Sequence, residues 1–258
     1  MSGIPLIRPR WPAPANVRSA VTTRAGGISS GPWATLNLGD HVGDDPQAVA
    51  ANRELLRGEL GLERAPLWVN QVHGTDVLSF DPLPHEINPV GMTADGVCTR
   101  SDGVACAIMT ADCLPVLLCD RRGTVAAAAH AGWRGLAAGI LRNTVAAMAC
   151  DPADVLAWLG PAIGPDAFEV GSEVREAFQD AALNPTQRTA IATCFAPSDA
   201  PGKYRADLYA LAAAELAAIG VPKTYGGGFC TFRDTERFYS YRRDGETGRM
   251  ASLIWLAP

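Results

Sequence analysis

The stretch Val104-Ala105-Cys106-Ala107-Ile108-Met109-Thr110-Ala111-Asp112-Cys113-Leu114-Pro115-Val116-Leu117-Leu118-Cys119 decides the fold. It holds two short apolar runs, 104–109 and 116–119, and a third, 125–129, follows and runs into His130-Ala131-Gly132-Trp133-Arg134-Gly135. Apolar runs of this length, flanked by polar or glycine-rich sequence, predict buried strands. Downstream, a helix is expected from Gly135 through Ala149, with Leu136, Ile140, Val145 and Met148 on one side. A strand over 155–159 ends in Gly160-Pro161, and helices are expected over about 172–183 and 207–219, the latter stopped by Gly220. Gly226-Gly227-Gly228 permits a tight turn. The segments 229–231, 238–243 and 251–256 read as strands and a loop.

Upstream, residues 17–22 read as a strand entering the flexible turn Arg24-Ala25-Gly26-Gly27. Asp45 is a natural N-cap and Pro46 a first-turn residue for a helix carrying Val49, Arg53, Leu56 and Leu60, which Gly61 ends. Residues 67–69 and 77–80 read as strands and 82–92 as a proline-punctuated loop. Strands and helices mix without strict alternation, which argues against a Rossmann or barrel repeat. The expectation is one mixed-sheet α/β (α+β) domain over residues 1–258. The alanine-rich helices imply close helix-to-sheet packing. No repeat, low-complexity tract or long linker divides the chain.

Apolar residues make up 48% of the 258 and charged residues 19%, an ordinary globular composition. Twenty-two basic against 27 acidic residues leave a net charge of −5, which disfavours nucleic-acid and anionic-membrane partners. No apolar run reaches the ~18 residues of a membrane span, and the opening segment lacks a signal-peptide apolar region. Seven cysteines, an odd number, point to free thiols in a reducing cytoplasm. Cys106, Cys119 and Cys150 lie in apolar runs and read as inert core.

Chemistry concentrates at three breaks in the strand pattern: His73 in Asn70-Gln71-Val72-His73-Gly74, Cys113, and His130. Two imidazoles and a thiolate suit zinc, and three protein ligands leave the open position of a catalytic site. The spacings, 40 residues from His73 to Cys113 (113 − 73) and 17 to His130 (130 − 113), match no zinc finger and suit ligands from separate strand ends. On spacing alone, two hydrogen-bonded histidines and a buried thiol fit equally well, as does a cysteine nucleophile with a histidine base. A blue-copper set would need Met109 as axial ligand, but that residue reads as core. The chain has four histidines, His41, His73, His85 and His130, and no His-x-His pair, which excludes a multicopper centre. No phosphate loop, His-Glu-x-x-His or nucleobase-deaminase pattern is present.

Several polar residues could surround the trio. Arg134 could offer an anion-binding fork, and Arg24, Arg242 and Arg243 sit near turns. Asp95 and Asp112 are carboxylates in small-residue loops, and for Asp112 a turn-capping role is at least as good a reading. Asn37 could bind substrate or cap a turn.

These motifs resemble the laccase-domain or polyphenol-oxidase (YfiH-like) family, whose bacterial members are also called purine nucleoside phosphorylases or peptidoglycan editing factors. The match runs from Thr22-Thr23-Arg24-Ala25-Gly26-Gly27 to the final strand. It is most specific over 70–74, Thr93-Ala94-Asp95-Gly96, 110–115, 130–135, 160–164 and 238–243. The resemblance implies a layered α/β/β/α fold of mixed sheets flanked by helices, similar to the deamidase domain of cytotoxic necrotizing factor. It implies zinc on His73, Cys113 and His130, while the older laccase name implies copper, against which the histidine count argues. It also implies phosphorolysis of adenosine, inosine, guanosine and methylthioadenosine, with adenosine deamination. Cys113, His130 and Asp95 are the candidate catalytic residues, with Asp95 and Cys230 the two candidates for a general acid that protonates the purine. Arg24, Asn37, Gln71, Arg134, Cys230 and Arg242 are expected to bind substrate, a purine nucleoside and phosphate, in a monomer or homodimer. Asp166 stands where some members carry a cysteine, so that thiol is not required here. Other readings stay open: a cysteine- or metal-dependent amide hydrolase editing peptidoglycan precursors, a copper polyphenol oxidase, and a non-catalytic metabolite-binding regulator.

Overall fold

The computed structural model describes residues 3–80 and 91–258. Most of the proline-punctuated loop expected at 82–92, with His85, lies outside the described residues. In chain order the elements begin with β1 (Leu6–Ile7), β2 (Val17–Thr22), α1 (Pro46–Leu60), β3 (Val77–Ser79), β4 (Gly96–Thr99), β5 (Cys106–Thr110), β6 (Leu114–Asp120) and β7 (Ala126–Ala131). They continue with α2 (Trp133–Ala138), α3 (Ile140–Ala147), β8 (Val155–Leu159), β9 (Glu169–Gly171), α4 (Ser172–Asp180), α5 (Pro185–Thr193) and β10 (Phe195–Pro197). The last are β11 (Lys203–Ala206), α6 (Leu208–Ala218), β12 (Thr224–Gly226), α7 (Tyr241–Asp244) and β13 (Met250–Leu256).

The decisive stretch splits between two sheets. β5 closes an antiparallel sheet of order β1-β2-β13-β5, whereas β6 sits inside a mixed sheet of order β12-β8-β6-β7-β4-β3. Within the mixed sheet only β12–β8 and β3–β4 run parallel. A small sheet of order β10-β11-β9 stands apart. The period-2 alternation of side chains sorts each strand onto two cores. Between the large sheets, Val21, Cys106, Ile108 and Ile254 pack with Leu117, Cys119, Ala128 and Trp158. On the far face of the mixed sheet, Val116, Leu118, Ala127 and Ala129 meet Leu141 and Val145 of α3 and Leu211 of α6. On the far face of the antiparallel sheet, Ala107, Met109 and Leu253 meet Leu56 of α1. The layers therefore run α/β/β/α. Every residue of β5, β6 and β7 is buried, as continuous apolar runs require.

Helix boundaries follow the capping chemistry. Asp45 accepts from the Gln47 N–H, and Gly61 takes the left-handed conformation at φ 64 beyond α1. Asp207 caps α6 by accepting from the N–H groups of Tyr209 and Ala210. The helix expected over 135–149 is instead two, because Gly139 is left-handed (φ 100) and ends α2 before α3 begins. Helix α5 escaped the periodicity reading, although Asn184-Pro185 carries a start signal and the Asn184 side chain accepts from the Gln187 N–H. The short strands β9 to β12 are too brief to show a period. Residues 67–69 form only an isolated bridge, Leu67 to Cys106. Residues 229–231 form no strand, and 238–240 lead into α7, which takes up 241–243. All seven cysteines are free; Cys106 and Cys119 are buried and Cys150 is half-buried. Among the described residues no helix is long and apolar enough to cross a membrane.

Candidate functional site

Cys113 occupies the turn where the chain leaves the antiparallel sheet for the mixed one. The β6–β7 register pairs Pro115 with His130 and Leu114 with Ala131, which sets Cys113 beside Gly132 at the end of the ladder. His130 lies within β7 rather than after it. His73 arrives on the loop before β3. The ligand atoms of His73, Cys113 and His130 all lie within 4.8 Å of one another. Cys113 Sγ is 3.7 Å from His73 Nε2, and the two imidazole rings meet edge-on at 4.7 Å.

Asp95 holds this geometry together. It is fully buried, and its carboxylate accepts from the backbone N–H groups of Val72 (3.2 Å), His73 (2.9 Å) and Gly74 (2.7 Å). It also bonds His130 Nδ1 at 2.7 Å. That bond leaves Nε2 of His130 for the trio, and it is the carboxylate–histidine pairing that orients a metal-ligating imidazole. His73 has φ 62, a left-handed conformation disfavoured for a non-glycine residue, and the three N–H bonds to Asp95 offset its cost of about 1–3 kcal/mol. Burial raises the Asp95 carboxyl pKa, but the bonds from His130 and the backbone hold it below the usual carboxylate range.

Charge is coupled across the trio. Burial opposes ionisation of Cys113, yet the charge and hydrogen bond of His130, with a bond from His73, bring its thiol down to about 6. Burial likewise opposes the imidazolium of His130, and Cys113 and Asp95 together push it up to about 9. The thiol is therefore poised as thiolate, the form that binds metal or attacks carbon.

The donor set fits zinc. Ligands arranged tetrahedrally at zinc distances stand about 3.5 Å apart. A trio within 4.8 Å needs only small side-chain rotations to reach that spacing. Gly132 leaves room for it, since a Cβ there would fall 2.8 Å from His73 Cδ2 and 3.1 Å from Cys113 Sγ. Gly132→Ala should therefore fold normally while pushing His73 off position. Its zinc affinity, measured by chelator competition, should fall about tenfold or more. Affinity equal to that of the parent would show that the close approach does not matter.

A cavity of about 440 Å³ opens over the trio, with walls that include His41, Gln71, Met109, Tyr241 and Arg249. Of the expected substrate-binding residues, only Gln71 lines it. Both ends of its amide are held by the Met109 backbone at 2.8 Å, so it shapes the wall. The others are committed elsewhere. Arg24 donates to the carbonyls of Ala34 and Thr235 and lies over the Tyr239 ring. Arg134 is exposed, stacked on Trp133. Arg242 donates to the Glu169 carbonyl and lies over Phe168, and Arg243 donates to the carbonyls of Thr231, Phe232 and Phe238. Cys230 lines a separate cavity of about 590 Å³ and accepts from the Gly164 N–H. Asn37 is fully buried, with its side chain bonded to Gly39, Asp44 and the Arg249 N–H. Asp112 accepts from Thr231, Ser240 and the Arg242 N–H, so it ties its turn to a distant segment rather than capping its own backbone.

Sequence reasoning assigned no role to His41, Tyr241 or Arg249. The register of β13 on β5 pairs Met250 with Thr110 and so delivers Arg249 to the Cys113 turn.

The chain matches the family model described as multi-copper polyphenol oxidoreductase laccase over residues 18–257. It belongs to this family. Among family members, it is 55% identical to a purine nucleoside phosphorylase of Pseudomonas aeruginosa, over 97% of this chain and 98% of that protein. It is 50% identical to purine nucleoside phosphorylase YfiH of Escherichia coli, over 97% and 98% of the two chains. The crystal structure of a Neisseria meningitidis protein superposes with a TM-score of 0.88 at 50% identity, covering 98% of this chain and 99% of that one. YlmD of Geobacillus stearothermophilus superposes at 0.82 with 32% identity, over 95% and 93%. The copper in the laccase family's description finds too few histidines here for a multicopper centre.

Proposed function

We propose that the chain is a zinc-dependent purine nucleoside phosphorylase of the reducing cytoplasm. Its substrates are adenosine, inosine, guanosine and methylthioadenosine, and adenosine deamination is a second reaction at the same centre. The observation that carries the reading is the convergence of His73, Cys113 and His130 in a cavity of about 440 Å³. That volume lies within the range of small-ligand pockets, and the trio stands in a chain 50–55% identical to proteins named purine nucleoside phosphorylase.

The trio would hold zinc, and the chemistry zinc supplies is that of a Lewis acid that polarises oxygen and lowers the pKa of water. The protein's own contribution is placement. Asp95 fixes the His130 tautomer and the His73 loop, and the Gln71–Met109 pairing fixes the wall. In phosphorolysis an oxygen of HPO₄²⁻ forms a bond to the anomeric carbon as the glycosidic C–N bond breaks. The purine nitrogen takes the electron pair, and the proton lost by the phosphate balances the one gained by the purine. Holding phosphate and nucleoside together in one cavity supplies proximity.

The Asp95–His130–Cys113 series supports a second reading, a cysteine hydrolase acting on an amide, because the thiol is brought down to about 6 beside an oriented imidazole. One experiment separates the two. The protein is incubated with inosine and with adenosine, with and without phosphate, alongside elemental analysis. Phosphate-dependent ribose 1-phosphate release with bound zinc, and ammonia from adenosine, is the expected result. Turnover of an amide by zinc-free protein, blocked by thiol alkylation, would favour the hydrolase. Saturable binding without any turnover would overturn both.

A further inference from the structure

Arg249 is the one Lys or Arg on the cavity wall, and no carboxylate lines that wall among the described residues. Its Nη1 donates to the carbonyls of Thr247 (2.9 Å) and Gly248 (3.0 Å). Among the described residues no Asp or Glu pairs with it, and no protein acceptor is bonded to Nε or Nη2. Two other inward-placed arginines pair with carboxylates, whereas half-buried Arg24 donates to carbonyls and Arg175 to Tyr204. Arg53 meets Asp40 at 3.2 Å and Arg142 meets Glu215 at 2.9 Å. Cys113 and Asp112 act on this half-buried guanidinium only through space, so its Nε and Nη2 donors are left for an anion in the cavity.

The side chain is also preorganised. Its backbone N–H donates to Asn37 Oδ1 at 2.9 Å, and Asn37 is itself fully buried. A Cβ at Gly39 would come within 2.8 Å of Arg249 Cγ, so the glycine lets the stem lie flat against the 37–39 turn. Tyr241 stands 6.0 Å away on another side. His41, two residues beyond Gly39, lines the same cavity, with its Nδ1 turned to Asp40 at 3.5 Å. The free edge of a guanidinium presents parallel N–H groups whose spacing matches two oxygens of a phosphate.

We infer that Arg249, positioned by Asn37 and Gly39, is the anion subsite of the trio cavity, and that it takes the phosphate co-substrate. The identity of the anion rests on the phosphorylase reading; the existence of the subsite does not. It replaces Arg24, Arg134 and Arg242 in that role.

The test titrates inorganic phosphate into the zinc-loaded protein by calorimetry and, in parallel, measures KM for phosphate and for inosine. The parent is compared with Arg249→Gln, with Arg249→Lys, and with Arg188→Gln, which removes an exposed charge on α5. Arg249→Gln should weaken phosphate binding and raise the phosphate KM about tenfold or more. The inosine KM should stay within about twofold and zinc content should not change. Arg249→Lys keeps charge and stem but lacks the fork, so it should recover part of the loss, while Arg188→Gln should match the parent. Phosphate binding that depends on Arg249 in a protein without phosphorolysis would uphold the subsite and sink the phosphorylase reading. Undiminished affinity in Arg249→Gln, or no saturable phosphate binding by the parent, would overturn the subsite.

Discussion

Cys113→Ala is expected to lose zinc and nucleoside cleavage together while remaining folded. A zinc bound by four protein ligands gains about 10–16 kcal/mol, roughly 3–4 per ligand, so removing one of three should weaken binding by roughly 100- to 1,000-fold. Cys113 sits half-buried in a turn, ahead of a β6 ladder that does not use its side chain, so the fold has no reason to fail. His73→Ala and His130→Ala should behave alike in activity, although His130→Ala also strands the buried Asp95 carboxylate. The check is metal content, circular dichroism and inosine cleavage on the same samples. A folded, metal-free Cys113→Ala protein with full activity would end the metal-centred reading.

Asp95→Ala should be the most damaging single change to the site's scaffold. It removes one acceptor from three backbone N–H groups and from His130, and it leaves His73 in a left-handed conformation with nothing to hold it. Breaking a buried, hydrogen-bonded charge network of this kind costs about 3–5 kcal/mol. Urea unfolding should therefore show a clear fall in midpoint at unchanged slope. Asp95→Asn keeps the shape, but its NH₂ faces a donor wherever it points. It should retain most of the stability and lose about 10- to 100-fold in zinc affinity. An Asp95→Asn protein that binds zinc as tightly as the parent would show that the carboxylate serves the loop alone.

Legibility in the sequence divides along a physical line. Short apolar runs announced β5, β6 and β7, and capping residues announced α1 and α6, because both signals are local. The trio was visible as three soft ligands at breaks in those runs. The arginines were not, because adjacency along the chain says little about where a long side chain ends. Arg24 and Arg242 donate to carbonyls, Arg243 to carbonyls and the Asp244 carboxylate, and Arg134 spreads over its neighbour Trp133. Arg249 reaches the cavity through the β13–β5 register, a pairing between segments far apart in sequence that carries no local signature. Asn37 shows the same limit. Its turn-capping role was readable, but its grip on Arg249 was not.

The two halves of the cavity also differ in how far apart their parts begin. The trio closes over separations of 40 residues between His73 and Cys113 and 35 between Asp95 and His130. The Arg249 wall closes over 212 residues to Asn37, and β13 is tied to β2 by a bond from Ala251 to Thr22 spanning 229. Loop-closure entropy grows with such spans, and high contact order slows folding. Refolding should thus have a sequence in time, with the histidine–cysteine cluster forming first and the guanidinium wall last. A partly folded chain could then capture metal before it can receive an anion. Until β13 docks, β2 and β5 would each keep an unpaired edge, the state in which a β-protein is most prone to associate with its own copies.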